Sequence, residues 1–288
     1  MPSLPAGISL RTATPADLPA IAGLRSSMGW TAHTWALRDA MRPPHARCFL
    51  AIDETGEPVA VGSGIAYGRL GVVGNMVVTA EHRRRGLGRA ILEQIVEFLE
   101  GEQGCTQLEL TATDAGRPLY ARHGFVPAGS TADARLPVDG ASAPAADEVR
   151  RATPDDLAEI VAYDTERFGG DRSPILAAAI DDEGRPMLLD RRDGSLVGYA
   201  VHRLGQDRLG PWLADDASAA AALLAAAHAQ APSASHLVTV VPMANAPGVA
   251  WMRSIGGSVE PHGGRMRRGG GVVRREETIY GNAVGALG

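Results

Sequence analysis

With 288 residues, a net charge of −5 and ordinary apolar content, the chain has room for one large domain or two of typical size, each with its own core. Mild acidity without a basic tail argues against a general nucleic-acid binder. The two cysteines, Cys48 and Cys105, are too few for a disulfide framework or a thiolate metal site, and the complete lack of lysine excludes a lysine base or Schiff-base former.

The opening Met1-Pro2-Ser3-Leu4-Pro5 has neither the basic nor the apolar stretch of a signal peptide. Ile8 to Thr12 predicts a strand. A helix start follows, with a cap at Thr14 or its neighbour, Pro15 in the first turn and Asp17 favourable to the helix dipole. Helices are predicted over Pro15 to Ser27 and Thr34 to Met41. Strands are predicted over Cys48 to Asp53, Pro58 to Tyr67 and Val72 to Val78. Next comes Arg83-Arg84-Arg85-Gly86-Leu87-Gly88-Arg89-Ala90. The helix after it has Ile91, Leu92, Ile95, Val96 and Leu99 on one face and Glu93, Gln94, Glu97 and Glu100 on the other. A strand over Gln107 to Ala112, a helix over Gly116 to Arg122 and a strand from Phe125 complete the first half.

The strand–loop–helix order around Gly86 suits a diphosphate. Glycine lets the backbone approach an anion closely, a helix start offers unpaired N–H groups and a partial positive charge, and the arginines supply counter-charge. It is not a P-loop, because no Gly-Lys-Ser/Thr follows, and the spacing of a dinucleotide fingerprint is absent.

In the second half, Arg150-Arg151-Ala152-Thr153-Pro154-Asp155-Asp156-Leu157 repeats the word Arg11-Thr12-Ala13-Thr14-Pro15-Ala16-Asp17-Leu18. Later elements repeat in order: a helix from Pro174, strands near Met187 to Leu189, Leu196 to His202 and Gly210 to Leu213, an alanine helix, a strand over Leu237 to Val241, a helix over Val249 to Ser254 and a final strand region. A period of a whole domain predicts a duplicated fold. Gly129 to Asp147 has linker composition, so the domains are read as 1–130 and 148–288 with a linker over 131–147. The alanine run Ala217 to Ala231 is too short for a membrane span and carries His228; the expectation is a cytoplasmic protein that engages no membrane. The second copy has two losses. Ala214-Asp215-Asp216-Ala217 is acidic where the first copy has arginines and glycines, which repels a diphosphate. And Met252, four residues before Gly256, has no proton to give.

Arg83 to Gly88 spells Arg-x-x-Gly-x-Gly and resembles the coenzyme A loop of the GNAT acyltransferase superfamily. Leu119-Tyr120-Ala121-Arg122-His123-Gly124-Phe125 resembles that superfamily's later helix-to-strand element, where a tyrosine sits four residues before a Gly-Phe. The whole chain is similar to a bacterial group of tandem GNAT proteins with an intact first copy and a divergent second. That group carries a Phe-Gly-x-Asp-Arg segment and a terminal Ile-Tyr-Gly, here Phe168-Gly169-Gly170-Asp171-Arg172 and Ile279-Tyr280-Gly281. The resemblance implies the α/β class: two tandem domains, each a mixed, mostly antiparallel twisted sheet flanked by helices, with the catalytic site in 1–130 and a non-catalytic second copy.

It also implies acetyl-CoA (coenzyme A) as cofactor. Its diphosphate is expected on Gly86, Leu87 and Gly88 with Arg84, Arg85 and Arg89, while Arg83 braces the loop. Its pantetheine arm is expected on the backbone of Met76, Val77 and Val78, where the strand splays from its neighbour. Thr113 or Asp114 stands where many members have an asparagine. Tyr120 matches the tyrosine that protonates the leaving thiolate, a task a phenol with a pKa near 10 can perform; the alternative is a packed ring with a hydrogen-bonded hydroxyl. Two readings stand for Glu109: the base found at about this position in some members, or a solvent-facing strand carboxylate, with Thr111 on its face and Leu108 and Leu110 on the other. Trp30, His33 and Trp35 either border the acceptor cleft or pack between helices. Asp171 and Arg172 either reach the acceptor from the second domain or open a helix, with Asp171 or Ser173 as cap. Arg265, Arg267 and Arg268 read as a solvated loop. No metal site is expected.

The implied function is an acetyl-CoA-dependent N-acetyltransferase for a small-molecule amine, as a monomer or homodimer. An acetyl-CoA sensor and an acyltransferase for a protein amine are the alternatives.

Overall fold

The structure, a computed structural model, describes residues 4–30, 34–137, 149–182, 184, 187–231 and 234–283. They form two compact units, neither continuous in sequence. The N-terminal unit holds residues 4–127 and 266–272; the C-terminal unit holds 128–265 and 273–283.

The N-terminal unit contains β1 (Ser9–Thr12), α1 (Leu18–Ser26), α2 (Thr34–Asp39), β2 (Ala46–Ile52), β3 (Pro58–Tyr67), β4 (Leu70–Val78), α3 (Leu87–Val96), β5 (Gln107–Ala112) and α4 (Arg117–Arg122). Its strands run antiparallel from β1 to β4, and β5 then pairs parallel to β4. Beyond β5 lies chain from the far end of the sequence, where the Gly270 N–H donates to the Thr106 carbonyl at 3.0 Å. Alternation sends Phe49, Ala51, Val73 and Leu108 against Ile91 and Ile95 of α3. It sends Cys48, Leu50, Val61 and Val77 against Ile21, Leu24 and Leu37 of α1 and α2. Each fully buried Ile or Leu contributes about 1.5–3 kcal/mol. Gly62 lets α3 come close: a Cβ there would stand 2.5 Å from Ile91 Cγ2 and from Met76 Sδ.

The C-terminal unit takes in β6 (Val126–Pro137) from Ala128 onward. It adds β7 (Arg150–Arg151), α5 (Leu157–Phe168), α6 (Ser173–Ile180), β8 (Met187–Arg192), β9 (Ser195–Arg203), β10 (Arg208–Ala214), α7 (Ala217–Gln230), β11 (His236–Pro242) and α8 (Ala246–Ser254). β12 (Ser258–Gly269) belongs to it through Arg265, and β13 (Ile279–Gly281) closes the list. Its order is β7-β8-β9-β10-β11-β6-β12, mixed like the first. Residues 131–137 are therefore strand, not linker. They pair with β11 from Thr131↔Pro242 to Pro137↔His236. Ala132, Ala134 and Leu136 are buried while Asp133 and Arg135 are exposed, a period of two hidden by small residues of linker-like composition. The rest of the expected linker, 138–147, lies outside the described residues. No described helix is long and apolar enough to cross a membrane.

The repeated word folds the same way twice. Thr14 and Thr153 are both extended, at φ/ψ of −116°/167° and −117°/166°. Asp17 Oδ2 accepts the N–H and hydroxyl of Thr14 at 2.7 and 3.0 Å, and Arg11 donates to both Asp17 oxygens at 2.7 and 2.8 Å. Arg150, Thr153 and Asp156 repeat each bond. The arginine, reinforced by the threonine donors, holds each carboxyl well below the usual carboxylate range.

Two outcomes follow. Asp17→Ala is expected to cost about 1 kcal/mol in urea unfolding at pH 7. Because the folded pKa is depressed, the wild-type advantage is complete above the unfolded value of about 3.9 and fades as pH falls toward the folded one, so the gap between the two proteins narrows in more acidic urea titrations. Gly62→Ala, which overpacks the β3–α3 interface, is expected to cost about 1–3 kcal/mol in the same assay.

Candidate cofactor and catalytic site

Near the end of β4 the ladder slips. Val61 pairs with Val77 and Ser63 with Gly74, so Asn75 and Met76 oppose Gly62 alone, a β-bulge. Asn75 is left-handed at φ 54° and held from two sides: its Nδ2 donates to Ser63 Oγ at 2.9 Å, and its Oδ1 accepts from Arg25 Nη1. Past the bulge the Thr79 N–H bonds the Val59 carbonyl at 3.0 Å. By antiparallel alternation, Val77 turns its N–H to β3 and Val78 turns its own to the opposite side. On that side β5 has already departed: the two strands pair only at Leu70/Gln107, Gly71/Leu108 and Val72/Glu109. Val78 thus faces a gap between parted strands. Of the three residues expected to bind the pantetheine arm, Val78 offers its amide there, Val77 spends its amide on β3, and Met76 lies in the bulge.

The loop ahead of α3 turns on two left-handed residues, Arg84 at φ 60° and Gly86 at φ 88°. A non-glycine in that region costs on the order of 1–2 kcal/mol, which makes Arg84 a strained position. A Cβ on Gly86 would meet nothing within 4 Å, so the backbone is approachable. Ala90 is the first residue whose N–H finds a helical acceptor, Gly86 O at 3.0 Å. Among the described residues the amides of Leu87, Gly88 and Arg89 make no backbone hydrogen bond, and the helix dipole adds positive potential there. Leu87 buries its side chain and anchors the turn. Arg84 and Arg85 are exposed and in no ion pair among the described residues. Arg89 is tied to Glu93 at 2.7 Å. Arg83 Nε donates to Val78 O at 3.1 Å, bracing loop to strand. A Cβ on Gly88 would lie 3.4 Å from Leu119 and 3.7 Å from Val78, so the strand end, the loop and α4 converge at this glycine.

Tyr120, on α4, is 7% exposed. Its ring meets Phe125 edge-on at 6.0 Å, and its hydroxyl makes no hydrogen bond among the described residues. Burial pushes its pKa up to about 12. Thr113 starts this helix: its carbonyl accepts the N–H groups of Gly116 and Arg117, each at 3.0 Å. A Cβ on Gly116 would sit 3.0 Å from the Tyr120 ring and 3.4 Å from Thr113 Oγ1, which places that hydroxyl beside the ring.

Glu109 is not solvent-facing. It is 7% exposed and accepts from Gln107 Nε2 at 2.8 Å. Gln107 Oε1 in turn accepts the Val272 N–H at 3.3 Å, so chain from the far end of the sequence lies beside this strand. Glu109 pairs with Val72 at the last rung before β4 and β5 part. Trp30 is half-buried against the α1/α2 face, with the Arg25 guanidinium 5.6 Å from its ring centroid. His33 and the Trp35 side chain fall outside the described residues. Arg25 and Asn75 were missed in the sequence; an asparagine inside an apolar strand, where that residue is depleted, was the available signal.

In the C-terminal unit Arg172 is 1% exposed. It donates to both oxygens of Asp164 and to the Tyr199 hydroxyl, and stacks 3.7 Å from the Phe168 ring centroid. The geometry returns it to the interior of its own unit, away from an acceptor role. Asp171 accepts the Ser173 N–H at 2.8 Å, the helix-entry alternative. Arg265 and Arg268 are not solvated either: they bond Glu276 and Glu100.

The same gap exists in the second copy, filled by chain. β10 and β11 pair in parallel at Arg208↔Val238. β13 then runs antiparallel to β10, at Trp212↔Gly281 and Leu213↔Ile279, and its far side is tied to β11 by Asn282 N–H to Val240 O at 2.8 Å. Asn245 Nδ2 holds the Ile279 carbonyl at 3.0 Å. At the neighbouring helix start Asp216 caps α7, accepting the Ala219 N–H at 2.8 Å. Met252, where the first copy has Tyr120, is fully buried.

Models of the acetyltransferase (GNAT) domain match residues 44–127 and 160–281, together more than half of the chain. The uncharacterized N-acetyltransferase YitH of Bacillus subtilis (strain 168) is 30% identical over 161 residues, 55% of this chain and 56% of that protein; the match thus spans about half the length of that relative. A Pyrococcus horikoshii protein, solved as a candidate acetyltransferase, superposes with a TM-score of 0.83 at 21% identity, covering 100% of this chain and 98% of its own. A tandem GNAT protein from the clavulanic acid biosynthesis pathway gives 0.64 at 16% identity, covering 92% and 99%. The chain belongs to the GNAT acetyltransferases and carries two such domains in tandem.

Proposed function

We propose that this protein is an acetyl-CoA-dependent N-acetyltransferase for a small-molecule amine, with its chemistry in the N-terminal unit and none in the C-terminal one. The observation that carries this reading is the gap between β4 and β5, bordered by the Val78 amide and opening toward the uncapped start of α3. Bound acetyl-CoA supplies the acetyl thioester and the leaving thiol. The amides of Leu87, Gly88 and Arg89, with Arg84 and Arg85, hold its diphosphate. The Val78 N–H bonds the extended arm as a neighbouring strand would. Tyr120 would give a proton to the sulfur as it leaves the acetyl group, and Glu109 would take the surplus proton from the acceptor nitrogen that replaces it. Trp30 and Arg25 border the acceptor side. Chain of the protein itself occupies the corresponding gap of the second copy, and a carboxylate occupies its helix start, so that copy holds no acyl-CoA.

Tyr120→Phe is expected to lower kcat by about 10²–10⁴-fold with acetyl-CoA affinity unchanged. With its pKa raised to about 12, Tyr120 keeps its proton up to about pH 10, so wild-type kcat carries no Tyr120 limb below that pH. Unchanged turnover in the variant removes Tyr120 as the acid. Tight binding without turnover on a panel of amines marks the protein as a sensor instead.

Calorimetry with acetyl-CoA is expected to give one site per chain. Gly86→Glu, which sets a carboxylate against the diphosphate and strains a left-handed position, is expected to abolish it. A second equivalent bound by wild type overturns the assignment of the C-terminal unit.

A further inference from the structure

We infer that Arg268 is a positioning residue for Tyr120, an inference that rests on the acid role proposed above. α4 spans only Arg117–Arg122, too short to hold its own place by internal hydrogen bonds. Thr113 fixes its start. Arg268 fixes its end: Nη1 donates to the His123 carbonyl at 2.7 Å, while Nε and Nη2 donate to Glu100 Oε1 and Oε2 at 2.8 and 2.9 Å. Glu100 lies in the wider turn, Glu97–Glu102, that continues α3. One guanidinium therefore ties the helix bearing Tyr120 to the helix whose start forms the diphosphate loop. The planar fork suits this double duty; an ammonium does not reproduce it. A cation at a helix C-terminus is also favourable in itself. Within α4 the Tyr120 carbonyl accepts the N–H groups of His123 and Phe125 at 2.9 and 3.1 Å. Arg268 thus grips the turn that closes directly onto Tyr120. It is supplied by residues 266–272, far from every motif that marks the site in sequence.

The test is a double-mutant cycle on the full chain, read as kcat with acetyl-CoA affinity from calorimetry. Arg268→Ala is expected to lower kcat by about 10–100-fold, the cost of misplacing a reacting group by roughly an ångström, with Kd for acetyl-CoA within about twofold. In the Tyr120→Phe background the same substitution is expected to change kcat by less than about twofold, because a displaced helix cannot lose a proton donor already removed. Glu100→Gln, which preserves shape but discharges the brace, is expected to follow the same non-additive pattern and serves if Arg268→Ala fails to fold. Equal fold-losses in both backgrounds, or wild-type kcat in Arg268→Ala, overturn the inference. If Tyr120→Phe alone leaves kcat unchanged, the acid role fails and this inference falls with it; impaired Tyr120→Phe with additive losses sinks the positioning role alone.

Discussion

Two parallel strands that part in the middle of a sheet leave main-chain donors and acceptors on their inner edges, and each such group costs about 1–3 kcal/mol if it is buried without a partner. Both copies in this chain are built around that constraint. In the second, the chain meets it with its own strand: Ile279–Gly281 lies between β10 and β11, and Asn282 and Asn245 close the bonding. In the first, β4 has β3 and β5 as its neighbours among the described residues, and pairing with β5 ends at Val72. A ligand that meets the Val78 edge must be extended and carry amide-like groups, as a pantetheine arm does. The bulge at Asn75, pinned by Arg25 and Ser63, keeps this edge turned to the gap.

The glycines show how far the copies have diverged around one plan. In the first, Gly62, Gly64 and Gly71 lie beneath the side chains of α3 and the segment that follows it, so they bring the loop-bearing helix onto the sheet. In the second, Gly210 and Gly281 serve the inserted strand. A Cβ would stand 2.2 Å from Asn282 O at one and 2.2 Å from Thr239 Oγ1 at the other. Charge diverges in parallel. A helix start attracts an anion; the first copy, among the described residues, leaves its start bare behind eight residues of loop, Thr79–Gly86, and the second satisfies it with the carboxylate of Asp216, two residues after β10.

What the sequence made legible is local. The Thr-Pro-Asp word predicts its own capping geometry because the groups involved lie within six residues of one another. β3 and β5 match their expected spans, since alternation and turn residues mark them. The glycine turn into α3 was readable because it is written in consecutive residues, with Gly86 left-handed at the helix start. Partnership was not readable. A strand's own pattern does not state which strand lies beside it, so Glu109 looked solvent-facing until Val272 appeared next to Gln107. Arg265 and Arg268 of the glycine-rich tail looked solvated but pair with Glu276 and Glu100, while Arg267 is exposed. Residues 131–137 looked like a linker because alanine carries a weak hydrophobic signal, although every second one is buried.

The assignment of chain to units shows that each half of the sequence completes the other's fold. The C-terminal half delivers Met266 to the core around Tyr120 and Arg268 to the end of α4, while the N-terminal half delivers residues 128–137 to the second sheet. Dividing the sequence between the halves therefore does not divide the fold. A first half ending before 148 keeps the loop, Tyr120 and Glu109, yet loses the Val272 N–H that bonds Gln107 beside Glu109 and the guanidinium bonded to the end of α4. The second half loses the partner of β11 along its whole length. Each half of the sequence is in this sense part of the other's fold, because the chain it supplies completes the other's unit.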